Sequence, residues 1–285
     1  MKRIILCPNP YKDVGLAFTA EVKQMLEGEG FEVLVCPEYL DGDPAETEPA
    51  AVECCELADA LPGAELAVSL GGDGTIMHTA RRLVGQRIPI IGVNLGTVGF
   101  LAELERGEIE KLIPAAHGKF VISQRMMLKV EVLRGGKTVF SNYAMNDVFL
   151  HGFVQMIHLT ARSDGRRMLE FSGDGIVIAS PTGSTAYSMS AGGPLVEPEA
   201  ENLIVTPICA YALAARSFVL APERIVTVAV TDLRGKAILS ADGGSFDILD
   251  GDVLRVQKSE HQTLIAHVGD KAFYDIVFEK LGGRK

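Results

Sequence analysis

The segment from Leu66 to Leu83 constrains the fold of this chain more tightly than any other. It begins with a short apolar run, continues with the glycine cluster GGDGT at residues 71–75, and ends in apolar residues at helical spacing. This order predicts a strand, a tight loop and a helix. Glycines at such a junction let the backbone approach a ligand, and the helix N-terminus offers free N–H groups to an anion. An ordinary turn between strand and helix would also explain the glycines.

One carboxylate, Asp73, lies inside this glycine loop. A carboxylate among glycines suited to phosphate repels the phosphate unless it binds a metal ion or accepts a proton. Asp73 therefore indicates a catalytic or metal-binding role. Gly74 follows it, and His78 stands one turn into the predicted helix. His78 is either a solvated helix residue or a contact for phosphate.

The first 119 residues alternate apolar runs with amphipathic segments. We predict strands at 3–7, 32–36, 66–70 and 89–93, and helices from Asp13 to about 28–30 and at 50–61, 74–84 and about 109–116. Strands that alternate with helices predict an α/β domain whose parallel sheet is covered on both faces. Ligands of such sheets bind at the carboxyl ends of the strands, where the GGDGT loop falls.

From residue 120 the pattern changes to short strands and hairpin turns without intervening helices. We predict strands at 121–122, 128–133, 139–140, 147–150, 156–161, 176–179, 218–220, 225–230, 237–240, 253–256 and 263–268. Residues 120–269 are therefore expected to form a β-rich domain, an antiparallel sandwich. The tail within 270–285 returns to helical spacing and is expected to join the domain of residues 1–119.

Charge and cysteine content limit the partners and the compartment. The net charge is −10, so nucleic acid and anionic membranes would repel the chain, and neither is an expected partner. The five cysteines form no CxxC pair and predict free thiols in a reducing compartment. No apolar run approaches membrane-spanning length. We expect a cytoplasmic protein.

The run from Gly173 to Ser188 combines a strand with an unusual density of polar groups. Asp174 precedes the strand, and a loop rich in Thr, Ser and Gly follows it. Hydroxyls and the N–H groups at the start of a helix suit sugar hydroxyls and phosphate, and Tyr187 adds a ring for a base. The dipeptide Asn146-Asp147 could bind neighbouring hydroxyls, or it could be a plain polar strand end. No glycine run matches a P-loop or a GxGxxG fingerprint.

Taken together, these stretches resemble the bacterial NAD kinases. The motifs that carry the resemblance occur in the family's order, and the resemblance covers nearly the whole chain: GGDGT at 71–75, Asn94-Leu-Gly with Gly99-Phe100, Asn146-Asp147, the run 173–194, Thr206-Pro-Ile-Cys209 and Ser240-Ala-Asp-Gly243. The run 180–194 is specific, whereas GGDGT alone is shared with diacylglycerol and sphingoid-base kinases. The chain departs from the family's usual sequence at Asp147, Ala210-Tyr211 and Gly244.

The resemblance implies a Rossmann-like N-terminal domain, a β-rich C-terminal domain and NAD in the cleft between them. It implies phosphoryl transfer from ATP, or from polyphosphate, to the 2′-hydroxyl of the adenosine ribose of NAD. It also implies a homodimer or homotetramer and a divalent cation, Mg²⁺, that arrives with the donor and is not held by the protein alone.

The resemblance also implies roles for individual residues. Asp73 would accept the hydroxyl proton, and Gly74 would lie near the phosphates. Asn146 and Asp147 would hold the adenine edge and the ribose hydroxyls, and Asp174 would meet the nicotinamide end. The remaining NAD contacts would be made by His78, by Phe100 and Tyr187 flanking the adenine, and by the lining residues Thr185, Ala186, Ser188, Met189 and Ser190.

Other functions stay open on the sequence alone. A lipid kinase of the diacylglycerol type shares GGDGT, but the charge of −10 and the polar run after Ser180 disfavour it. A dinucleotide sensor without turnover would not require Asp73 as a base. A sugar or fructose-phosphate kinase would leave Tyr187 and its loop unexplained.

Overall fold

The computed structural model describes residues 2–39, 49–96, 99–212, 215–231, 233, 235–269 and 272–282. Residues 96–100, Gly-Thr-Val-Gly-Phe, are called the second glycine loop. Its Thr97 and Val98, and residues 270–271 and 283–285 of the predicted tail, lie outside the described residues. The chain divides into two compact units, residues 1–124 with 263–285, and residues 125–262. The predicted boundaries at 120 and 269 lie near these limits and stay a prediction. Across the described residues, no helix is both long and apolar enough to cross a membrane.

The first unit is an α/β structure. Its strands are β1 (Arg3–Pro8), β2 (Glu32–Val35), β3 (Ala64–Gly71), β4 (Ile90–Asn94) and β5 (Leu104–Glu105). Its helices are α1 (Ala17–Gly28), α2 (Leu57–Ala60), α3 (Asp73–Arg82), α4 (Leu112–Ala116) and α6 (Phe273–Leu281). One 3₁₀ turn, Val14–Leu16, precedes α1, and another, Arg106–Lys111, precedes α4.

The sheet of this unit is parallel, in the order β2-β1-β3-β4. Because β1 connects to β2 on one side while β3 and β4 lie on the other, the strand order reverses between β1 and β3. The crevice at such a reversal is where open α/β sheets bind ligands. The loops after β1 and β3 both end there. A buried cluster of apolar side chains, most of them on β1–β4, α1 and α4, forms the core of this unit.

The second unit is almost entirely β-structure. Its first strands are β6 (Val121–Arg134), β7 (Lys137–Ala144), β8 (Asp147–Phe153), β9 (Ile157–Ser163), β10 (Arg166–Gly173) and β11 (Gly175–Ala179). After a 3₁₀ turn (Thr182–Thr185) and α5 (Tyr187–Ser190) follow β12 (Leu203–Ile208), β13 (Phe218–Leu220), β14 (Val226–Thr231), β15 (Lys236–Ala241), β16 (Gly244–Ile248) and β17 (Val253–His267). The long strands β6 and β17 include a few residues of the first unit.

Antiparallel pairing joins these strands into two layers. One contains β10-β9-β14-β17 and the β6–β7 hairpin, and the other has the order β13-β12-β11-β8-β15-β16. Alternate side chains from both layers form one buried core. The predicted fold class, an α/β domain with an antiparallel β-rich domain, is confirmed.

One predicted helix is wrong. Residues 50–56 are not helical, and only Leu57–Ala60 make a single turn. The N–H of Ala51 donates to the carbonyl of Gly15, and the N–H of Cys55 donates to the carbonyl of Val35. These hydrogen bonds to distant segments hold the backbone in a non-helical path, so tertiary contacts override the local helical pattern.

Candidate functional site

The β3–α3 loop is shaped by the close approach of Thr75 to the glycines. A Cβ on Gly71 would lie 2.2 Å from Oγ1 of Thr75, so no other residue fits there without displacement. The N–H of Gly72 donates to the same oxygen at 3.4 Å. Helix α3 then begins at Asp73, which places a carboxylate beside the free N–H groups of the first turn. Gly74 is exposed at this end of the helix.

Two backbone N–H groups fix the carboxylate of Asp73. Phe100 donates to Oδ2 at 2.6 Å and Leu101 donates to Oδ1 at 3.1 Å. The fit is close, because a Cβ on Gly99 would lie 1.7 Å from Oδ1. The second glycine loop therefore serves to orient Asp73. Each carboxylate oxygen keeps a further lone pair for a proton or a cation.

Phe100 has a second neighbour that the sequence does not indicate. The ammonium of Lys280, in α6, lies 4.4 Å from the centroid of the Phe100 ring. Burial lowers the pKa of Lys280, while the charges of Asp73 and Glu105 act to raise it. One face of the ring is thus in a cation–π contact. The predicted contact between Phe100 and adenine stays a prediction.

His78 is part of an ionic cluster built around the buried carboxylate of Glu38, to which Arg82 supplies the opposite charge. Its Nδ1 lies 2.5 Å from Oε2 of Glu38, and Nη1 of Arg82 donates to the same oxygen at 2.9 Å. The Glu38 side chain is fully buried, and Thr79 donates to its other oxygen at 3.4 Å. The cluster ties helix α3 to the segment after β2. The predicted phosphate contact of His78 stays a prediction, and only Nε2 of the ring is outside this cluster.

In the second unit, the start of β8 and the end of β11 meet at Asn146 and Asp147. Asp147 is paired in register with Ala179. A Cβ on Gly183 would lie 2.1 Å from the carbonyl oxygen of Asn146, so this glycine permits the approach of the Thr/Ser loop. The structure therefore brings Asn146-Asp147 and the run after Ala179 together.

A second carboxylate, Asp242, fixes the backbone in this corner, the place where the start of β8 meets the end of β11. Its oxygens accept N–H groups from Met145 at 2.5 Å and from Asn146 and Asp147 at 3.2 Å. Asp242 has a φ of 44°, a left-handed conformation that Asp tolerates better than most residues. Burial and the neighbouring charge of Asp242 raise the pKa of Asp147 to about 7, although the N–H of Tyr187 acts to lower it.

Two polar atoms in this corner are buried without a hydrogen-bond partner among the described residues, namely Oδ1 of Asn146 and Oγ1 of Thr182. Buried polar atoms are normally paired, and an unpaired one costs about 1–3 kcal/mol. Both atoms are next to the predicted NAD contacts. They are the observation in this unit that points most directly to a bound ligand.

Tyr187 begins α5 and packs edge-on against Phe149, with ring centroids 5.1 Å apart and planes at 82°. The ring is half-buried, which suits a residue that offers one face to a base. The other predicted lining residues lie around it: Thr185 and Ala186 precede it, Ser188 is buried against Thr206, and Met189 and Ser190 complete the turn.

Asp174 lies between two strands and beside a cysteine. Its N–H donates to the carbonyl of Ile208 at 3.0 Å, and its own carbonyl accepts from Gly152 at 2.8 Å. The hydrogen bond from the thiol of Cys209 to Asp174 raises the pKa of that cysteine. Cys209 is exposed and has a φ of 47°. The predicted nicotinamide contact of Asp174 stays a prediction.

Sequence reasoning missed several residues that shape these two clusters. Glu38 and Lys280 belong to no motif. Asp242 lies in the family motif Ser240-Ala-Asp-Gly243, which is the signal that could have identified it, but the sequence analysis gives it no role. None of the described residues forms a group of three or more His, Cys, Asp or Glu side chains that could hold a metal ion.

A chain that combines an α/β unit whose glycine loop presents a fixed carboxylate with a β-rich unit that gathers acids, hydroxyls and a tyrosine is typical of an enzyme acting on nucleotides. Two protein-family models match the chain and define the class of enzyme more narrowly. Residues 4–117 match the ATP-NAD kinase N-terminal domain, and residues 145–268 match the ATP-NAD kinase C-terminal domain. The chain belongs to the NAD kinase family, and the resemblance found in the sequence is confirmed.

Individual relatives show the same likeness. The NAD kinase of Ruminiclostridium cellulolyticum is 35% identical over 292 residues, which cover 100% of this chain and 99% of that protein. The NAD kinase of Natranaerobius thermophilus is 34% identical over 287 residues and 99% of both chains.

Two solved structures share the fold. A yeast NADH kinase complexed with NADH has a TM-score of 0.82 and 26% identity, covering 99% of this chain and 88% of that one. An NAD kinase from Archaeoglobus fulgidus in complex with ATP has a TM-score of 0.74 and 26% identity, covering 98% of each chain.

Proposed function

We propose that the chain transfers the terminal phosphoryl group of ATP to the 2′-hydroxyl of the adenosine ribose of NAD, giving NADP. The observation that carries this proposal is the fixed carboxylate of Asp73 at the start of α3. A binding protein would not require an oriented acid among phosphate-compatible glycines. The proposal is supported by the family and by the relatives solved with NADH and with ATP.

Asp73 would accept the proton of the attacking hydroxyl. The ribose oxygen then bonds to the terminal phosphorus, and the bond from that phosphorus to the leaving diphosphate breaks. The two N–H groups hold the carboxylate in one orientation, which is the main contribution a protein can make to phosphoryl transfer. The loop N–H groups at the start of α3 suit the developing charge on the phosphate oxygens.

The second unit would bind the nucleoside. The unpaired Oδ1 of Asn146 can accept a hydrogen bond from a base amino group, and Asp147 can accept from a ribose hydroxyl. Tyr187 offers a ring edge-packed on Phe149, so its orientation is set before a base arrives. Asp174 is proposed for the nicotinamide end on the resemblance alone.

A divalent cation, Mg²⁺, is proposed to enter with the donor phosphates. Mg²⁺ commonly binds through one or two carboxylates, substrate phosphates and water. Asp73 is the carboxylate of the glycine loop that could complete such a coordination shell, so the residues present fit a cation carried by the donor. When bound, the cation would neutralise charge on the transferred phosphate.

The test measures NADP formation from NAD and ATP with Mg²⁺, using the wild type, Asp73→Asn and the control Asp59→Asn. Asp59 is an exposed acid of α2. We expect turnover to fall roughly 10²–10⁴-fold in Asp73→Asn, the usual contribution of a positioned base, and to stay unchanged in the control. Near-normal turnover in a folded Asp73→Asn would contradict the proton-acceptor role. Polyphosphate in place of ATP tests the second donor.

We propose a cytoplasmic protein, which the five free cysteines support. A homodimer or homotetramer is proposed from the family resemblance, and sedimentation of the purified chain tests it.

A further inference from the structure

A lysine of the β1–α1 loop lies against the glycine loop that carries Asp73. A Cβ on Gly72 would be 2.5 Å from Nζ of Lys12, and a Cβ on Gly96 would be 3.5 Å from the same atom. The ammonium is therefore placed between the β3–α3 loop and the loop after β4. No motif in the sequence indicates this residue.

The loop that carries Lys12 is held by a buried asparagine. Oδ1 of Asn9 accepts the N–H groups of Tyr11 at 2.9 Å and of Lys12 at 3.2 Å. Nδ2 of Asn9 donates to Oγ1 of Thr75 at 3.5 Å, and Asn9 is only 3% exposed. One side chain thus connects the backbone of Lys12 to the residue that shapes the glycine loop.

Asp13 fixes the other end of the same loop. Its carboxylate accepts the N–H groups of Phe18 at 2.9 Å and Thr19 at 2.8 Å, and the Thr19 hydroxyl at 2.5 Å. Asp13 is 5% exposed, so these bonds are sheltered from water. The Lys12 backbone is therefore held on both sides, while its side chain is exposed.

The position of Lys12 in the sheet explains what it can bind. The strand order reverses between β1 and β3, and Lys12 and Gly72 belong to the two loops that follow these strands. The crevice between such loops is where open α/β sheets bind ligands. Here it combines a cation with the start of α3, whose first-turn N–H groups have no partner within the helix and suit an anion. In a chain of net charge −10, a local cation matters for attracting a polyanion.

We propose that Lys12 binds the phosphate chain of the donor and stabilises its charge as the terminal phosphoryl group is transferred. This inference rests on the proposed function and adds to it a residue for donor recognition. Lysine acts on phosphate as a point charge with three donors, so the contact tolerates a phosphate chain that moves during the reaction. NAD binding does not depend on this contact.

The test uses Lys12→Met, Lys12→Arg and the control Lys119→Met, which changes another exposed lysine of the first unit. We expect Lys12→Met to raise KM for ATP about tenfold or more and to lower kcat, with KM for NAD within about twofold of wild type. Lys12→Arg should recover part of the loss, since it keeps the charge, and the control should behave as wild type. Values for Lys12→Met within twofold of wild type, or equal losses for ATP and NAD, would overturn the proposal.

A binding measurement separates this inference from the proposed reaction. Calorimetry with ATP alone, and with inorganic tripolyphosphate alone, needs no turnover. We expect wild type to bind both and Lys12→Met to bind both more weakly. If wild type forms no NADP but shows this difference, the reaction is wrong and the phosphate site stands. If the two proteins bind both probes equally, the site is wrong whatever the reaction is.

Discussion

At the scale of single residues, the absence of a side chain at Gly99 is what allows Asp73 its orientation. A Cβ at position 99 would lie 1.7 Å from Oδ1 of Asp73, closer than any real contact. In Gly99→Ala the carboxylate must therefore move, and displacement by about 1 Å in a reacting group can cost about 10²-fold in rate. We expect kcat for NADP formation to fall by roughly that factor.

The matched control for this change is Gly107→Ala, because a Cβ there meets nothing within 4 Å. Both variants should fold, which circular dichroism and thermal unfolding can verify. A Gly99→Ala enzyme with the kcat of the Gly107→Ala control would show that the orientation of Asp73 does not limit the reaction.

The ionised form of Asp147 destabilises the folded protein, and the pH dependence of the free energy of unfolding tests this effect. Its pKa is raised to about 7 in the folded protein by burial and by Asp242, whereas an unfolded aspartate titrates near about 3.9. Between these values the folded state binds a proton that the unfolded state has released. The free energy of unfolding therefore falls as the pH rises from about 4 to about 7, by at most about 4 kcal/mol.

Asp147→Asn removes this cost. We expect the variant to be more stable than wild type above pH 7, with the difference vanishing toward pH 4, while its affinity for NAD decreases. Urea unfolding at several pH values measures the first effect. Asp164→Asn is the control of opposite sign, because hydrogen bonds from Ile225 and Arg224 lower the pKa of Asp164. A less stable Asp147→Asn at pH 8 would contradict the argument.

At the scale of secondary structure, helix α3 is anchored by one buried acid outside it. Glu38 accepts from Arg82 and bonds to His78, and its own N–H donates to Pro8 at 2.7 Å. Removing the carboxylate in Glu38→Ala leaves the partly buried Arg82 without its anionic partner. We expect a loss of about 1–3 kcal/mol in the free energy of unfolding. Because α3 carries Asp73, kcat should fall as well.

Urea unfolding and NADP formation measure the two effects of Glu38→Ala. Glu53→Ala, at an exposed position of the first unit, is the control and should change neither. Glu38→Gln keeps hydrogen-bonding capacity toward Arg82 and should be intermediate in both. If Glu38→Ala is as stable as Glu53→Ala, the ionic cluster does not anchor the helix.

Sequence patterns predicted the helices and strands whose apolar periodicity lies within the element itself. The strands β1, β3 and β4, the helix α3 and the tail helix at Phe273–Leu281 follow directly from periodicity. The helix predicted over 50–61 failed because its backbone bonds to distant segments. Strands β10, β12 and β16 were not predicted; β10 and β16 are exposed at alternate positions, and β12 contains a proline, which weakens a strand signal.

The residues of the candidate site that stand in sequence motifs could be predicted. Those that approach the site only through the fold of the chain could not. Asp73, Asn146 and Asp147 stand in recognisable stretches, and the structure brings the last two beside the loop after Ala179. Lys12 and Glu38 reach the glycine loop and α3 from the segments after β1 and β2, so their place depends on the strand order of the sheet. No local pattern contains that information.

At the scale of the whole molecule, the second unit is continuous in sequence and the first is not. Every residue of the buried core in the second unit falls between Met126 and Val256. The core of the first unit includes Ala266, and Ile265 of β17 pairs with Ile90 of β4. The first unit therefore needs a strand that the chain supplies only after completing the second.

This difference predicts how fragments fold. Residues 125–262 expressed alone should show cooperative thermal unfolding, because their apolar core is complete. Residues 1–124 alone should be markedly less stable, since β4 loses its pairing with β17 at Ile90 and keeps only β5 at its carboxyl end, which leaves an unpaired edge. Joining 263–285 to residue 124 through a short glycine-serine linker should restore cooperative unfolding. If 1–124 alone unfolds at the same temperature as the joined fragment, β17 contributes no stability to the first unit, and the parallel sheet is complete with β1–β5.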